Sequence, residues 1–183
     1  MSEYDQEALL LIRRNVDFAI RKTCDILDSE NTLFLDIAPN EHGGAKKYVE
    51  LGKVLTADIN PANSPDFVLD ICDNNSDKIN DCSFDVVICT EVLEHTTRPW
   101  DAASEIHRIL RPGGIALVTT PFNFRIHGPL PAGWKEGDPV SDYWRFTEHG
   151  LRLLFSKFRP VQVTPLESSR PLMPYHYSTI AVR

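Results

Sequence analysis

Four apolar runs of strand length, residues 32–37, 54–59, 67–71 and 84–90, each carry an acidic or small polar residue at or beside the last position. These are Asp36, Asp58, Asp70 and Thr90. Val86, Val87 and Ile88 are contiguous, as expected of a strand covered on both faces. Further runs at 115–120, 161–166 and 177–182 alternate with helical patterns, which implies βαβ units and a mainly parallel sheet of about seven strands flanked by helices, an α/β fold. Open sheets of this kind take ligands at the carboxyl ends of their strands. Carboxylates placed there suit a ligand with hydroxyls, an amine and a positive charge.

The apolar spacing of Leu9, Leu10, Ile12, Val16, Phe18, Ala19, Ile20, Ile26 and Leu27 predicts one or two amphipathic helices over 3–28. A brief helix is expected over 43–51, closed by Gly52. Pro61 and Pro65 argue against a full crossover helix between strands two and three. A helix over 100–110 should stop at Pro112-Gly113-Gly114, and another over 147–157 should take Thr147 as N-cap with Glu148 in its first turn. Between them, residues 121–145 hold Pro121, Pro129, Pro131 and Pro139, and read as an irregular substrate-side loop. Trp134, Tyr143 and Trp144 favour an ordered lid. No repeat, internal linker or second domain is visible, so 1–183 reads as a single domain with a helical segment over 1–30.

The net charge of -7 argues against non-specific nucleic-acid binding, which needs a basic face. Arg13, Arg14, Arg21 and Lys22 form one local basic patch, read here as a solvated helix face. Cys24, Cys72, Cys82 and Cys89 form no CxxC pair, so neither a disulfide framework nor metal spacing is expected. The acidic opening lacks a signal peptide's basic start, and no run approaches the ~18 apolar residues of a membrane span. The expected compartment is the cytoplasm.

Three stretches carry a family resemblance: Leu35-Asp36-Ile37-Ala38-Pro39-Asn40, Phe84-Asp85-Val86-Val87-Ile88-Cys89-Thr90-Glu91-Val92-Leu93-Glu94-His95, and Leu110-Arg111-Pro112-Gly113-Gly114. Together with Asp58 and Asp70 they resemble the class I S-adenosylmethionine-dependent methyltransferases, with their Rossmann-like fold. The string Asp142-Tyr143-Trp144-Arg145-Phe146-Thr147 is similar to a branch of the type 11 group. The resemblance implies S-adenosyl-L-methionine as cofactor. It implies that Asp36, Ala38 and Asn40 form the turn after strand one, and that Asp58 and Ile59 meet the ribose. It places Asp70 and Ile71 at the adenine, and Thr90 and Glu91 along the methionine portion. Ala38 and Asn40 stand where that turn usually has glycine. The missing GxGxxG spacing argues against a dinucleotide fold. Asp85 reads as structural, and His107 and Arg108 as an exposed helix face.

The expected reaction is transfer of a methyl group to a small polar acceptor, such as a sugar or metabolite, at N or O. Alignment supplies much of the rate, and a base within hydrogen-bond reach assists. His127 is the first candidate base and His95 the second. Glu94 and His95 either hold the turn or face the ligand. Tyr143, Trp144 and Arg145 are candidate substrate contacts, with Arg145 either pairing with Asp142 or gripping an anionic group. The expected partner is a small molecule, with no nucleic acid or membrane; the oligomeric state is open. Two alternatives remain: a non-catalytic binding or interaction module, and an enzyme using the same cofactor for another transfer.

Overall fold

The computed structural model describes residues 3–39, 43–127, 141–166 and 172–183. Seven strands form one sheet in the order β3-β2-β1-β4-β5-β7-β6. They are β1 (Leu33–Ile37), β2 (Lys53–Asp58), β3 (Phe67–Val68), β4 (Phe84–Thr90), β5 (Leu110–Pro121), β6 (Val161–Leu166) and β7 (His176–Val182). The first five run parallel, and β7 is antiparallel to both β5 and β6. Three α-helices, α1 (Glu3–Leu27), α2 (Pro99–Ile109) and α3 (Glu148–Leu154), cover it.

The apolar runs that predict the strands also explain the layering. Successive side chains point to opposite faces, so Val87 and Cys89 of β4 join the core shared with α2 and α3. Val86 and Ile88 join a second cluster with Ile20 and Cys24 of α1. Leu35 and Phe34 of β1, and Val118 and Leu117 of β5, divide in the same way. One long helix thus closes one face and two shorter ones contribute to the other.

Several elements differ from expectation for identifiable reasons. The α1 region is a single helix. The 43–51 helix shrinks to a 3-10 turn at Gly44–Lys47. The N–H groups of Glu50, Leu51 and Gly52 donate to the Asp28 carboxylate at 2.7, 3.0 and 2.7 Å, not to helix carbonyls. β3 stops after two residues because the Asp70 carboxylate takes the Cys72 N–H at 2.8 Å and turns the chain. Pro112-Gly113-Gly114 does not delay β5; it lies inside it, where the register slips between the Phe84–Leu110 and Val86–Ile115 pairs. The predicted 147–157 helix is shorter, but Thr147 caps it, accepting from the Gly150 N–H at 3.1 Å. Residues 128–140 of the expected lid, Trp134 among them, lie outside the described residues.

Ile88 is fully buried on the α1 face of a central strand. Its replacement by Ala should cost about 2–5 kcal/mol of unfolding free energy in a urea titration.

Candidate functional site

Ile37 pairs with Ala57 on one side and Cys89 on the other, so Ala38, Asp58 and Thr90 come level at the carboxyl edge of the sheet. The chain leaves β1 toward β2, and β4 lies on the opposite flank, which makes this the point where strand order reverses and ligands bind. Two cavities sharing Pro39 lie along this edge. The larger, about 690 Å³, is lined by Ala38, Thr90, Glu91, His95 and His127 and walled by Leu9, Ile12 and Val16 of α1. The smaller, about 310 Å³, is lined by Gly43, Lys46, Thr56, Asp58 and Asn63.

Asp36 is 1% exposed. Its Oδ2 accepts the Ala45 N–H at 2.7 Å, while Oδ1 has no hydrogen-bond partner among the described residues. Burial pushes this carboxyl up to about 6, against the opposing pull of the Ala45 N–H and Lys46. The turn is fitted closely around it: a Cβ on Gly44 would stand 2.0 Å from Asp36 Oδ2. Ala38 has φ 51°, the left-handed region that favours glycine, so the backbone keeps the glycine conformation with a methyl group attached. Asn40, its companion in the sequence reading, lies outside the described residues.

Asp58 is buried, and its two oxygens accept from the Asn60 N–H and Asn63 Nδ2, each at 2.8 Å. An ionised carboxylate has about four acceptor positions, so room remains for two ligand hydroxyls. Asp70 follows the end of β3 on the same edge, with one oxygen committed to Cys72. Ile59 is 48% exposed, whereas Ile71 packs into the core. The expectation of Ile71 as a wall of the ligand site therefore gives way to a core role.

At the far end of the larger cavity, Glu91 has φ 52° and its Oε1 lies 3.3 Å from His176 Nδ1. His176 Nε2 lies 3.3 Å from the Asn15 amide of α1. An amide nitrogen only donates, so Nε2 accepts and Nδ1 carries the proton toward Glu91. Nothing in the sequence flagged His176, which marks only the start of β7. Arg13 and Arg14, read from sequence as a solvated face, border this cavity.

His95 and His127, far apart in sequence, meet Nε2 to Nε2 at 3.1 Å. His95 Nδ1 donates to the Ser141 carbonyl at 2.8 Å. His127 Nδ1 lies 3.0 Å from Asp142 Oδ2 without aligned hydrogen-bond geometry, and its backbone N–H donates to the same oxygen at 2.9 Å. Burial lowers His127, and the neighbouring His95 adds to that, although Asp142 opposes it. Glu94 is fully buried, and neither carboxylate oxygen has a hydrogen-bond partner among the described residues. Burial first, then the nearby Glu91, pushes its carboxyl well up. Sequence spacing gives no metal set, but folding brings one ligand atom each of Glu94, His95 and His127 within 4.8 Å of one another.

The Asp-Tyr-Trp-Arg segment turns out to be a clamp. Arg145 pairs with both oxygens of Asp142 and donates to the carbonyls of Phe124, Arg125 and Trp144. The Trp144 indole donates to the Thr96 carbonyl at 2.7 Å, and the Tyr143 N–H to the Glu94 carbonyl at 2.7 Å. Arg145 thus ties the Asp142 turn to the Phe124–Arg125 backbone ahead of His127, and Trp144 ties it to the turn at Thr96, with all five Arg145 donor contacts made within the chain. Arg108, expected on an exposed face, is tied to Glu105 and Asp81, and His107 packs edge-on against Phe158.

Residues 29–118 match the profile of a family described as a methyltransferase domain. Over 39 residues the chain is 41% identical to an uncharacterized methyltransferase of Mycobacterium avium (strain 104), a stretch covering 21% of this chain and 15% of that protein. The CurJ carbon methyltransferase superimposes with a TM-score of 0.67 at 16% identity, over 93% of this chain and 55% of that one. Burkholderia thailandensis 1,6-didemethyltoxoflavin-N1-methyltransferase, solved with 1,6-didemethyltoxoflavin and S-adenosylhomocysteine, gives 0.61 at 17% identity, over 98% of this chain and 89% of that one.

Relief of the Ala38 backbone should be measurable. Ala38→Gly is expected to raise unfolding free energy by about 0.5–1 kcal/mol, read from denaturant midpoints.

Proposed function

We propose that this chain, whose residues 29–118 are a methyltransferase domain of the class I S-adenosylmethionine-dependent type, transfers a methyl group to the N or O of a small polar acceptor. The observation that carries this reading is the row of strand ends: Asp36 with a bare buried oxygen, Asp58 with spare acceptor positions, and Thr90 and Glu91 level beside them at the reversal of strand order. The unpartnered Asp36 Oδ1 suits a cationic amine, in a turn where Gly44 packs directly against Oδ2.

Bound S-adenosylmethionine supplies a methyl group on a cationic sulfur, poised for in-line attack by the acceptor's lone pair. The chain's residues do the holding. Asp36 and the Ala38 turn take the methionine ammonium, with Asn40 assigned to the same turn. Asp58 accepts the ribose hydroxyls, Asp70 the adenine amine, and the half-exposed Ile59 covers the base. Thr90 and Glu91 flank the sulfonium end, and the apolar side chains of α1 exclude water from it, which keeps the acceptor's lone pair unsolvated. His127 and His95 form the acceptor end of the cavity, where the proton lost from an N–H or O–H acceptor is received. Arg145 positions His127, and Tyr143 and Trp144 position the turn that carries His95.

A second reading, a module that binds the cofactor without transferring, draws on the alanine in the left-handed turn. Incubation with S-adenosylmethionine and a panel of small amines, alcohols and sugars, read by mass for a gain of one methyl group, separates the two. Cofactor binding by calorimetry without any methylated product would favour the module; absence of binding would remove both.

Two binding predictions follow from the geometry. Asp58→Ala should weaken S-adenosylmethionine by ~1–3 kcal/mol in calorimetry, and unchanged affinity would discard the ribose assignment. The Asp36 carboxyl is held up to about 6, so in the free protein it takes up its proton as pH falls through that value. A cationic ligand binds best to the ionised form, so affinity should fall as pH drops below about 6. Asp36→Asn should bind weakly and lose that pH dependence.

A further inference from the structure

We propose that Glu94, His95 and His127 bind one divalent transition-metal cation at the acceptor end of the larger cavity. A backbone carbonyl only accepts, so His95 Nδ1, 2.8 Å from the Ser141 oxygen, carries the proton and leaves Nε2 bare. His127 Nδ1 lies 3.0 Å from the Asp142 carboxylate and has no hydrogen-bond partner among the described residues, so a proton placed on Nδ1 would face that carboxylate and free Nε2. The two Nε2 atoms lie 3.1 Å apart, where they share a proton in a hydrogen bond or, with both Nδ1 atoms protonated, are free together to hold a cation beside them. Two nitrogens bound to one ion at ~2.0–2.1 Å stand roughly 2.8–3.4 Å apart at octahedral to tetrahedral angles.

The carboxylate is an independent observation. Glu94 is 0% exposed, both its oxygens lack hydrogen-bond partners among the described residues, and Oε1 lies 3.8 Å from His95 Nε2. A buried carboxylate without partners is costly. A cation held by the neighbouring imidazoles would compensate it. The three ligand atoms lie within 4.8 Å of one another, and the Glu94 carboxylate would have to rotate toward the imidazoles to share an ion.

The surroundings are also those of a ligand set. A ligating histidine usually has its other nitrogen fixed by a carbonyl or a carboxylate; here His95 Nδ1 is fixed by the Ser141 carbonyl, and His127 Nδ1 has the Asp142 carboxylate 3.0 Å away without aligned hydrogen-bond geometry. Asp142 is itself held by Arg145, and the Glu94 carbonyl is pinned by the Tyr143 N–H. Two imidazoles and one carboxylate favour Zn²⁺, Co²⁺ or Mn²⁺ over Mg²⁺ and Ca²⁺, which prefer oxygen alone. Such a set leaves positions open toward the cavity that His95 and His127 line, where an oxygen or nitrogen of the acceptor fits. With the ion bound, the imidazoles would serve as ligands and the ion would acidify a bound acceptor's N–H or O–H, whose proton would pass to solvent water. This consequence rests on the methyltransferase reading; the site itself does not.

The test uses the full chain with Cys82→Ser, which removes the exposed thiol, after chelator treatment and without cofactor. Titration with Co²⁺, followed by visible absorption, and with Zn²⁺ by calorimetry should show one ion per chain, with Mg²⁺ at least tenfold weaker. His127→Asn and Glu94→Gln should each weaken Zn²⁺ at least tenfold, and Asp142→Asn about 10–100-fold. A folded protein that binds no Co²⁺ or Zn²⁺, or binds them equally well in these variants, overturns the proposal. Should Glu94→Gln not fold, judged by circular dichroism, His127→Asn and the Co²⁺ spectrum decide alone. S-adenosylmethionine calorimetry on the metal-free protein reports separately on cofactor binding, so loss of one reading leaves the other standing.

Discussion

The register of three parallel strands governs this molecule. Because Ile37 faces Ala57 and Cys89, and Thr90 faces Thr119 of β5, the strands finish level and their terminal side chains share one edge. A slip of one residue would turn every side chain of a strand to the opposite face. It would carry Asp36 out of its contact with Ala45 and spoil both cores together. Hydrophobic pattern and ligand edge are therefore specified by the same residues. Val86 and Ile88 select the α1 face, Val87 and Cys89 the other, and Thr90 and Glu91 follow from that choice.

The economy of helices gives α1 two tasks. Ile20 belongs to the core beneath the sheet and also lines the larger cavity, where Ile12 and Val16 join it. The helix is fastened near one end by Asp28, which gathers three backbone N–H groups, and at its middle by Asn15 through His176 to Glu91. Wall and scaffold being one element, a ligand that packs against α1 also reinforces the fold.

Much of this was legible in the residues. Strand periodicity locates the seven described strands, with β4 and β6 correct at both ends, and the acidic residues closing β1 and β2 read as edge groups from sequence alone. Short elements were less legible, because side chains outside the local window decided them. Asp28 ended the turn after β1 from 22 or more residues away, and the Asp70 carboxylate cut β3 short. The site divided similarly. Ala38 and Glu91 belong to the edge that sequence indicated, although their positive φ values do not show in residue type. The meeting of His95 with His127, and of His176 with Glu91, could not be read, since each joins residues 32 or more positions apart. Arg145 was read with two possible partners; five hydrogen bonds to the chain itself fix the choice.

The placement of β7 has a bearing on how the molecule is made. It is the last of the seven strands in the chain, yet it sits between β5 and β6. During synthesis β5 must wait with one flank bare until the final strand emerges, and an unpaired strand flank invites pairing with other chains. His176 arrives with that strand, so the latch from Glu91 to the first helix closes only then. Assembly of the cavity is thereby deferred until β7 has been made, and any product halted before it carries an open sheet and an unfinished pocket.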